Sequence, residues 1–467
     1  MRQLSGVDAY HALAESPRQH MHTIKIAVID PGAADRPISL PTLRAWSADR
    51  LVHIPALRWR LVKIPLGLGR PVFVDGGPLD VDYHVVAERL PPPGTPEQFD
   101  DLVSRIASQQ LDRARPLWQL TLVEGMAQGQ LGLVFKLHHS IMDGQASVRF
   151  LETAFDGAGA APSGPAPAAE PIPSTARLVR FALASHLRLA AALPTVLRRT
   201  VASVRDNEAR KKSGAARVVN PLSGPRTRLN APVTAERIYV DVTIPLRELR
   251  AIKDAAGATL NDVFVALCGG AIRRYLEEHG EVPDRCLNAT APVSLRGEHE
   301  RDSFGNRTSY WYVSLGTDTP DPLERLAKVQ ASIGAARAWA EGDVELFAVW
   351  QDYYTLFGLL TLRTLTLIER LTGRPAFNAI VSNVRGPQPL SLFGAPVVAI
   401  RSMGPVTRTL GLNMTGWSYR DDFSVGLHAC RDTSPDLRRL AEHVRAELDA
   451  FARAAGVTAS HPGVATA

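Results

Sequence analysis

A low-complexity stretch, GAGAAPSGPAPAAEPIPS at residues 157–174, divides the chain into two parts. A segment of alanine, proline and glycine cannot bury enough apolar surface to form a packed core, so we interpret it as a linker or a mobile loop. The chain has 467 residues, which is enough for two or three domains of ordinary size. We therefore expect two folded halves that are joined by a connecting segment.

The first half has the patterns of a mixed domain. Residues 23–29 (TIKIAVI) and 131–137 (LGLVFKL) are typical of buried strands, and residues 98–111 between them have helical spacing. These patterns predict an N-terminal domain over residues 1–156. The segment that follows, residues 157–230, combines the linker with a helical stretch.

The second half, residues 231–467, is also mixed. Five of its elements are predicted in the order strand, helix, helix, strand and strand, at 237–244, 246–256, 259–278, 410–419 and 423–430. Gly257 separates the two helices. The combination of strands and helices in both halves predicts an α/β (α+β) fold with mixed sheets flanked by helices.

The last helix has the clearest pattern. Ser434 is its predicted N-cap and Pro435 lies in its predicted first turn, since these residue types favour those positions. One face carries five apolar residues at helical spacing: Leu437, Leu440, Val444, Leu448 and Phe451. Gly456 is predicted to end the helix.

Residues 176–205 form a basic amphipathic helical pattern in which Pro194 predicts a kink. Two interpretations stay open: a helix packed on the protein with its arginines in water, or a helix lying on an anionic membrane or lipid surface. The net charge of +6 and the isoelectric point near 9.3 favour anionic partners. No dense stripe of basic residues interleaved with aromatic residues is present, so we expect no nucleic-acid partner.

The sequence disfavours secretion and membrane insertion. Its N-terminus lacks the basic and apolar regions of a signal peptide, and the apolar residues 355–371 are interrupted by Arg363, Glu369 and Arg370. We therefore predict a cytoplasmic protein. The three cysteines, at 268, 286 and 430, lack the spacing of a metal site or a disulfide framework, and Cys268 is expected to be a buried hydrophobe.

The sequence HHSIMDG at 138–144 carries the clearest chemistry. His138 and His139 end a predicted strand, so their rings point to opposite sides and only one can face a given cleft. A neutral imidazole is a suitable general base near pH 7. Asp143 is close enough in sequence to fix a loop or a ring orientation through an ion pair, and Gly144 permits a tight backbone turn.

The HHSIMDG sequence resembles the HHxxxDG signature of CoA-dependent acyltransferases with the chloramphenicol acetyltransferase-like fold. Other segments resemble the bacterial wax ester synthase/diacylglycerol acyltransferase family in that family's order. They are the opening residues 4–22, RPLWQLTLVEG at 115–125, LNDVFVALCGGAIRRYL at 260–276, APVSLR at 291–296, FGNRTS at 304–309 and SNVRGP at 382–387. The resemblance covers nearly the whole chain.

This resemblance implies two chloramphenicol acetyltransferase-like domains with a substrate channel between them. His139 carries over as the general base that deprotonates an alcohol for direct attack on a thioester. His138 and Asp143 carry over to positioning, and Gly144 to the turn. Acyl-CoA is the implied co-substrate, and we expect no bound nucleotide cofactor because no Walker A or dinucleotide motif is present.

The implied reaction transfers a long acyl chain from CoA to diacylglycerol, giving triacylglycerol, or to a fatty alcohol, giving a wax ester. The implied place is the surface of the inner membrane or of a lipid droplet. Two alternatives stay open: the same fold acylating a polyketide or another small hydroxylated metabolite, and a lipid-binding homologue without turnover. The oligomeric state is not predicted.

Five further residues are candidates for the substrate channel or for structure: Trp118, Asn261, Asp262, Arg296 and Asn383. Trp118 is most simply a core residue, although it could line the channel. Asp262 follows Thr259 at the spacing of a capping box. Asn261 could instead line the acceptor channel.

Arg296 is a candidate partner for Asp143 across the two halves, and Asn383 ends a strand pattern where loops carry function. Arg385 is a departure from the family, because it replaces the proline of the usual SNVPGP sequence. Two roles stay open for this arginine: contact with a CoA phosphate, or simple solvation.

Overall fold

The computed structural model describes residues 1–156, 165–212, 219–220, 222–281, 284–294, 296, 304–356, 367 and 371–457. The predicted linker lies partly outside these ranges, and its residues 165–174 have no regular secondary structure. The interrupted apolar stretch at 355–371 lies mostly outside them.

The first half supplies seven strands and five helices. They are β1 (Arg2–Gln3), α1 (Gly6–Ala14), β2 (His22–Ile29), α2 (Leu40–Asp49), β3 (Trp59–Val62), β4 (Val72–Asp75), α3 (Val81–His84), β5 (Val85–Arg89), α4 (Pro96–Ser108), β6 (Trp118–Glu124), β7 (Leu131–His138) and α5 (Gly144–Ala154). The strands predicted at 23–29 and 131–137 are confirmed as β2 and β7, and the helix predicted at 98–111 runs from 96 to 108.

A long helix, α6 (Thr175–Lys212), follows and continues through Pro194. The elements described in the second half are β8 (Arg237–Pro245), α7 (Leu246–Ala255), α8 (Leu260–Glu278), β9 (Asn288–Ser294), β10 (Thr308–Ser314), α9 (Pro322–Leu356), β11 (Ala379–Arg385), β12 (Ser391–Leu392), β13 (Ala395–Met403), β14 (Leu412–Tyr419), β15 (Asp422–Cys430) and α10 (Leu437–Ala454). The helix break at Gly257 and the hairpin of β14 and β15 are confirmed, and Gly257 has a positive φ of 61°.

The prediction for the start of α10 is wrong. The helix begins at Leu437, with Asp436 as N-cap and no side-chain capping bond. The backbone N–H of Ser434 instead donates to the carbonyl of Cys430. Ser434 therefore belongs to the turn that ends β15, and the apolar face and the end at Gly456 are as predicted.

Two six-stranded mixed sheets form the frame of the molecule, and a third sheet orders β1, β4 and β3. The first has the order β12-β13-β2-β7-β6-β5, so two strands of the second half complete a sheet of the first half. The second has the order β10-β9-β11-β14-β15-β8. The expectation of mixed sheets flanked by helices is confirmed.

The two sheets approach closely at β13 and β15. A Cβ atom at Gly426 would lie 2.0 Å from the carbonyl oxygen of Ser402. Only a residue without a side chain fits there, so this glycine allows the backbones of the two sheets to meet.

Helix α4 covers the edge strand β8. The Ser104 hydroxyl accepts from the backbone N–H of Tyr239 at 2.8 Å, and the Ser108 hydroxyl accepts from that of Arg237 at 2.9 Å. Ser104 and Ser108 are four residues apart along the helix, a rise of about 6 Å. Arg237 and Tyr239 are two residues apart along the strand, a rise of about 7 Å, so the two spacings match. The match satisfies donors that an open edge would leave unpaired.

Among the described residues, no single helix is long and apolar enough to cross a membrane. Helices α7 and α8 together have the length and apolar composition of a membrane span, but they are bent by 101° at the break between them. Cys268, in α8, is buried as predicted, within the apolar core of the second half.

Candidate active site

The double histidine lies where β7 ends. His138 is the last residue of the strand, and the backbone N–H of His139 donates to the carbonyl of Met21 at 2.7 Å, next to β2. His22 pairs with His138 across the two strands. Because residues alternate between the faces of a sheet, His138 and His139 project to opposite faces, as predicted.

His139 faces a cavity of about 750 Å³ that both halves of the chain enclose. The first half contributes residues of α1 and β2, including Tyr10 and Thr23. The second half contributes residues of β9, β10 and β11, including Tyr310 and Asn383. The lining is mainly apolar and aromatic, as expected for a ligand site between two domains.

The ring of His139 is held by Asn306 from the second half. The Asn306 Nδ2 group donates to the His139 carbonyl at 2.6 Å and to the Asp8 carboxylate at 2.7 Å. A backbone carbonyl can only accept, so these bonds identify the amide nitrogen. The Asn306 Oδ1 atom is therefore the acceptor for Nδ1–H of His139, 3.1 Å away.

This arrangement fixes the tautomer of His139. With the proton on Nδ1, the neutral ring has its lone pair on Nε2, and none of the described residues hydrogen-bonds that atom. Burial, and then the Lys25 cation, lower the pKa of His139 to about 4. The ring is therefore neutral at pH 7, and its basic nitrogen is available to a ligand in the cavity.

His138 has a different role. Its Nδ1 atom accepts from the backbone N–H of Ser140 at 3.1 Å, which leaves the proton on Nε2. That nitrogen lies 3.6 Å from the buried carboxylate of Glu15. His138 thus connects the turn to Glu15, the C-cap residue of α1, and its positioning role stays a prediction.

Asp143 clamps the two halves together. Its carboxylate lies 2.6 Å from Nη1 of Arg296, and it also accepts from the backbone N–H of Arg307 and the hydroxyl of Thr308. The same carboxylate caps α5 by accepting from Ala146 N–H at 2.9 Å. The predicted pairing with Arg296 is confirmed, whereas Asn306 and not Asp143 orients the His139 ring.

The predicted reason for Gly144 is wrong. Gly144 is the first residue of α5, and its φ is not in the left-handed region. The turn itself comprises His139 to Ile141. A Cβ at Gly144 would lie 2.9 Å from Cγ2 of Val384, so this glycine allows α5 to approach β11 closely.

Two of the other candidates have structural contacts. Trp118 is fully buried, donates from Nε1 to the Leu57 carbonyl at 2.8 Å and does not line the cavity, which confirms the core interpretation. Asp262 forms the predicted capping box with Thr259. Arg385 is exposed, which is compatible with both of its predicted roles.

Asn261 and Asn383 lie together, because Nδ2 of Asn383 is 3.4 Å from Oδ1 of Asn261. Asn383 lines the cavity and Asn261 does not. Among the residues that the structure describes, no group of three or more histidine, cysteine, aspartate or glutamate side chains could hold a metal ion.

Three residues at the candidate site were missed by the sequence analysis. Asn306 lies inside the FGNRTS segment, but its contact with His139 joins positions 167 residues apart. Asp8 holds Asn306 from α1. Lys25 interrupts the apolar run TIKIAVI, and this lone charge within a buried strand was an available signal.

Sequence comparison identifies the family. Residues 4–264 match the wax ester synthase/diacylglycerol acyltransferase catalytic domain, and residues 304–452 match the C-terminal domain of the same family. A putative diacylglycerol O-acyltransferase of Mycobacterium tuberculosis is 31% identical over 465 residues, which covers 98% of this chain and 97% of that protein. Another from the same organism is 35% identical over 439 residues, covering 91% of each chain.

Structural comparison agrees. The wax ester synthase/diacylglycerol acyltransferase of Marinobacter aquaeolei VT8 matches with a TM-score of 0.69 and 26% identity, over 98% of this chain and 100% of that one. The first condensation domain of the calcium-dependent antibiotic synthetase matches with a TM-score of 0.58 and 17% identity, over 97% of each chain, and shows the shared fold. The chain therefore belongs to the wax ester synthase/diacylglycerol acyltransferase family and is an acyltransferase.

Proposed function

We propose that this acyltransferase moves a long acyl chain from CoA to the hydroxyl group of diacylglycerol, of a fatty alcohol, or of both. The products are triacylglycerol and wax esters. The observation that carries the proposal is the free Nε2 atom of His139 in an apolar cavity enclosed by both halves. Relatives named as diacylglycerol O-acyltransferases and a wax ester synthase support the choice of substrates.

His139 acts as the general base. Its Nε2 takes the proton of the acceptor hydroxyl while the oxygen attacks the thioester carbonyl carbon. The tetrahedral intermediate then collapses, the C–S bond breaks and the CoA thiolate takes the proton back from the imidazolium. The acyl group passes directly to the alcohol, so no acyl-enzyme forms and no bound cofactor takes part.

The protein carries out this reaction on the cytoplasmic side, in peripheral contact with the inner membrane or a lipid droplet. Five exposed apolar residues of α6 lie on one face of that helix: Leu183, Leu187, Leu197, Val201 and Val204. Arginines flank this stripe, as at Arg180 and Arg198. Helices that lie on membranes typically insert apolar residues into the interface and place cationic residues beside them. Those cations contact the anionic lipid headgroups.

Vesicle sedimentation tests this contact. The protein should sediment with phosphatidylglycerol vesicles more than with phosphatidylcholine vesicles, and the Leu187→Ser/Val201→Ser variant should lose this binding. The Ala184→Ser/Ala202→Ser variant changes exposed α6 residues outside the stripe and is the matched control. Equal sedimentation of both variants with wild-type protein contradicts the proposed contact.

The reaction is tested with purified protein and palmitoyl-CoA, with dioleoylglycerol, hexadecanol, a short-chain alcohol or no acceptor. Mass spectrometry of the extracted lipids identifies the product. We expect an ester of diacylglycerol or hexadecanol. An ester of the short-chain alcohol alone indicates a small hydroxylated substrate, and lipid binding without any product indicates a binding protein.

A further inference from the structure

Lys25 is a buried lysine whose amine forms no ion pair with a carboxylate among the described residues. It lies in the middle of β2 and its side chain is 3% exposed. The Nζ atom donates to the Thr23 hydroxyl at 2.9 Å and to the Ser402 hydroxyl at 2.7 Å. No carboxylate pairs with it among the described residues. Neutral partners offset only part of the desolvation of a buried ammonium, so a further ligand group is expected.

This amine belongs to the catalytic cavity. Alternation along β2 places Met21, Thr23 and Lys25 on one face, and Met21 is the residue whose carbonyl holds the backbone of His139. The bond to Thr23 folds the Lys25 side chain back toward His139. Two strand residues span about 7 Å, so the amine lies roughly that far along the sheet from the histidine backbone.

Lys25 also differs from the rest of the cavity wall. Among the described residues that line the cavity, it is the one lysine or arginine. Its two hydroxyl partners leave one N–H of the ammonium for a ligand, and the Trp417 ring makes a cation–π contact with Nζ at 5.1 Å. Burial lowers the pKa of Lys25 to about 7, and both the ammonium and the amine can donate.

We propose that Lys25 donates a hydrogen bond to an ester carbonyl oxygen of the acceptor, beside the hydroxyl that is acylated, and so selects partial glycerides over simple fatty alcohols. This specificity rests on the proposed function. In diacylglycerol about five bonds, or roughly 4–6 Å, separate the free hydroxyl oxygen from the neighbouring carbonyl oxygen. When that hydroxyl lies about 3 Å from Nε2 of His139, the carbonyl oxygen extends far enough along the sheet to meet the Lys25 amine.

A fatty alcohol has no oxygen at this place. When a fatty alcohol binds, apolar chains enclose the Lys25 donor and leave it without a hydrogen-bond partner. A buried donor without a partner lowers the binding free energy of that acceptor. A dialkylglycerol also leaves the Lys25 donor unpaired, because its ether linkages replace the ester linkages and it has no carbonyl oxygen. The comparison of these acceptors isolates the contact.

The experiment measures kcat/KM of the full chain with palmitoyl-CoA and three acceptors: dioleoylglycerol, the matched dioleyl ether of glycerol, and hexadecanol. Wild-type protein should prefer the diester to the diether by about 10- to 100-fold. Lys25→Met should bring this ratio close to one, because the diester loses its donor and no unpaired amine penalises the diether or hexadecanol any longer. Lys25→Gln keeps an N–H donor and should retain part of the preference.

Lys136→Met is the matched control. Lys136 is a second buried lysine, on the neighbouring strand β7, but it donates to the carbonyls of Ile106 and Gln109 and does not line the cavity. Its loss should affect stability and leave the diester-to-diether ratio unchanged. A purely structural role of Lys25 would lower activity on all three acceptors together.

Two results overturn the inference while the proposed function stands. One is a wild-type enzyme that acylates the diester and the diether equally well, and this result is decisive even where Lys25→Met does not fold. The other is an unchanged ratio in a folded Lys25→Met variant. Absence of transfer to all three acceptors by wild-type protein instead overturns the proposed function together with the inference.

Discussion

The side-chain oxygen of Asn306 accepts the Nδ1 proton of His139 across 3.1 Å, from the opposite half of the chain. This contact determines which ring nitrogen is basic, because the amide nitrogen of Asn306 is already committed to the Asp8 carboxylate and the His139 carbonyl. The tautomer of His139 is thus fixed only when the two halves are assembled.

Asn306→Ala should lower kcat by about 100- to 10,000-fold, because the imidazole loses the partner that selects its tautomer. The assay is thiol release from palmitoyl-CoA with a saturating acceptor, together with a thermal melt to confirm folding. Asn261→Ala, whose side chain is outside the cavity lining, is the control and should stay within about twofold. Turnover within tenfold of wild type in Asn306→Ala would show that the tautomer is set otherwise.

The pair of Asp143 and Arg296 should behave as a buried ion pair that joins the halves. Arg296→Ala leaves the carboxylate without its cation, which should lower the free energy of unfolding by about 3–5 kcal/mol. Arg296→Ala and Asp143→Ala each remove the same interaction. The double variant should therefore lose clearly less unfolding free energy than the sum of the losses in the two single variants. Urea unfolding measures all three, and strictly additive losses would contradict the coupling.

Gly144→Ala should be destabilising by about 1–3 kcal/mol, because the added methyl group meets Val384. Val384→Ala removes that neighbour, so the double variant should regain part of the loss. Gly334, on the exposed surface of α9, has no atom within 4 Å of an added Cβ, and Gly334→Ala should be neutral or slightly stabilising. Equal effects at the two glycines would argue against close packing at Gly144.

The rate should be insensitive to acid down to unusually low pH. In the proposed mechanism the neutral form of His139 is the base, and a pKa of about 4 keeps the ring neutral where an ordinary histidine is half protonated. The kcat/KM for acyl transfer should therefore stay level between about pH 7 and pH 5.5 and fall only as the pH approaches 4. Circular dichroism at each pH confirms folding, and a midpoint near 6.5 would mean that the base is not desolvated as described.

Local patterns in the sequence were sufficient to predict much of the fold. The strands β2 and β7 are apolar runs, and Gly257 marks the break between α7 and α8 because its φ is positive there. The start of α10 was not predictable in this way, since Ser434 is used by the turn that ends β15. Competition between two local structures for one residue depends on packing that the pattern does not contain.

The site was predictable to a similar extent. The HHSIMDG sequence identified the strand end. Arg296 was predicted as the cation that pairs with Asp143, and the structure shows this pair. Asn306 could not be derived, because its role depends on how the second half docks on the first. Gly144 was assigned to a turn because glycine often serves turns, whereas its actual constraint comes from Val384, which is 240 residues further along the chain.

The most direct test of the account is acceptor-dependent thiol release from palmitoyl-CoA by wild-type protein and by His139→Ala. His443→Ala, at a surface histidine paired with Glu278, is the control. We predict release that requires diacylglycerol or hexadecanol, that is unchanged in the control and that falls at least about 100-fold in His139→Ala. Release that continues at the wild-type rate in His139→Ala would contradict the assignment of the general base.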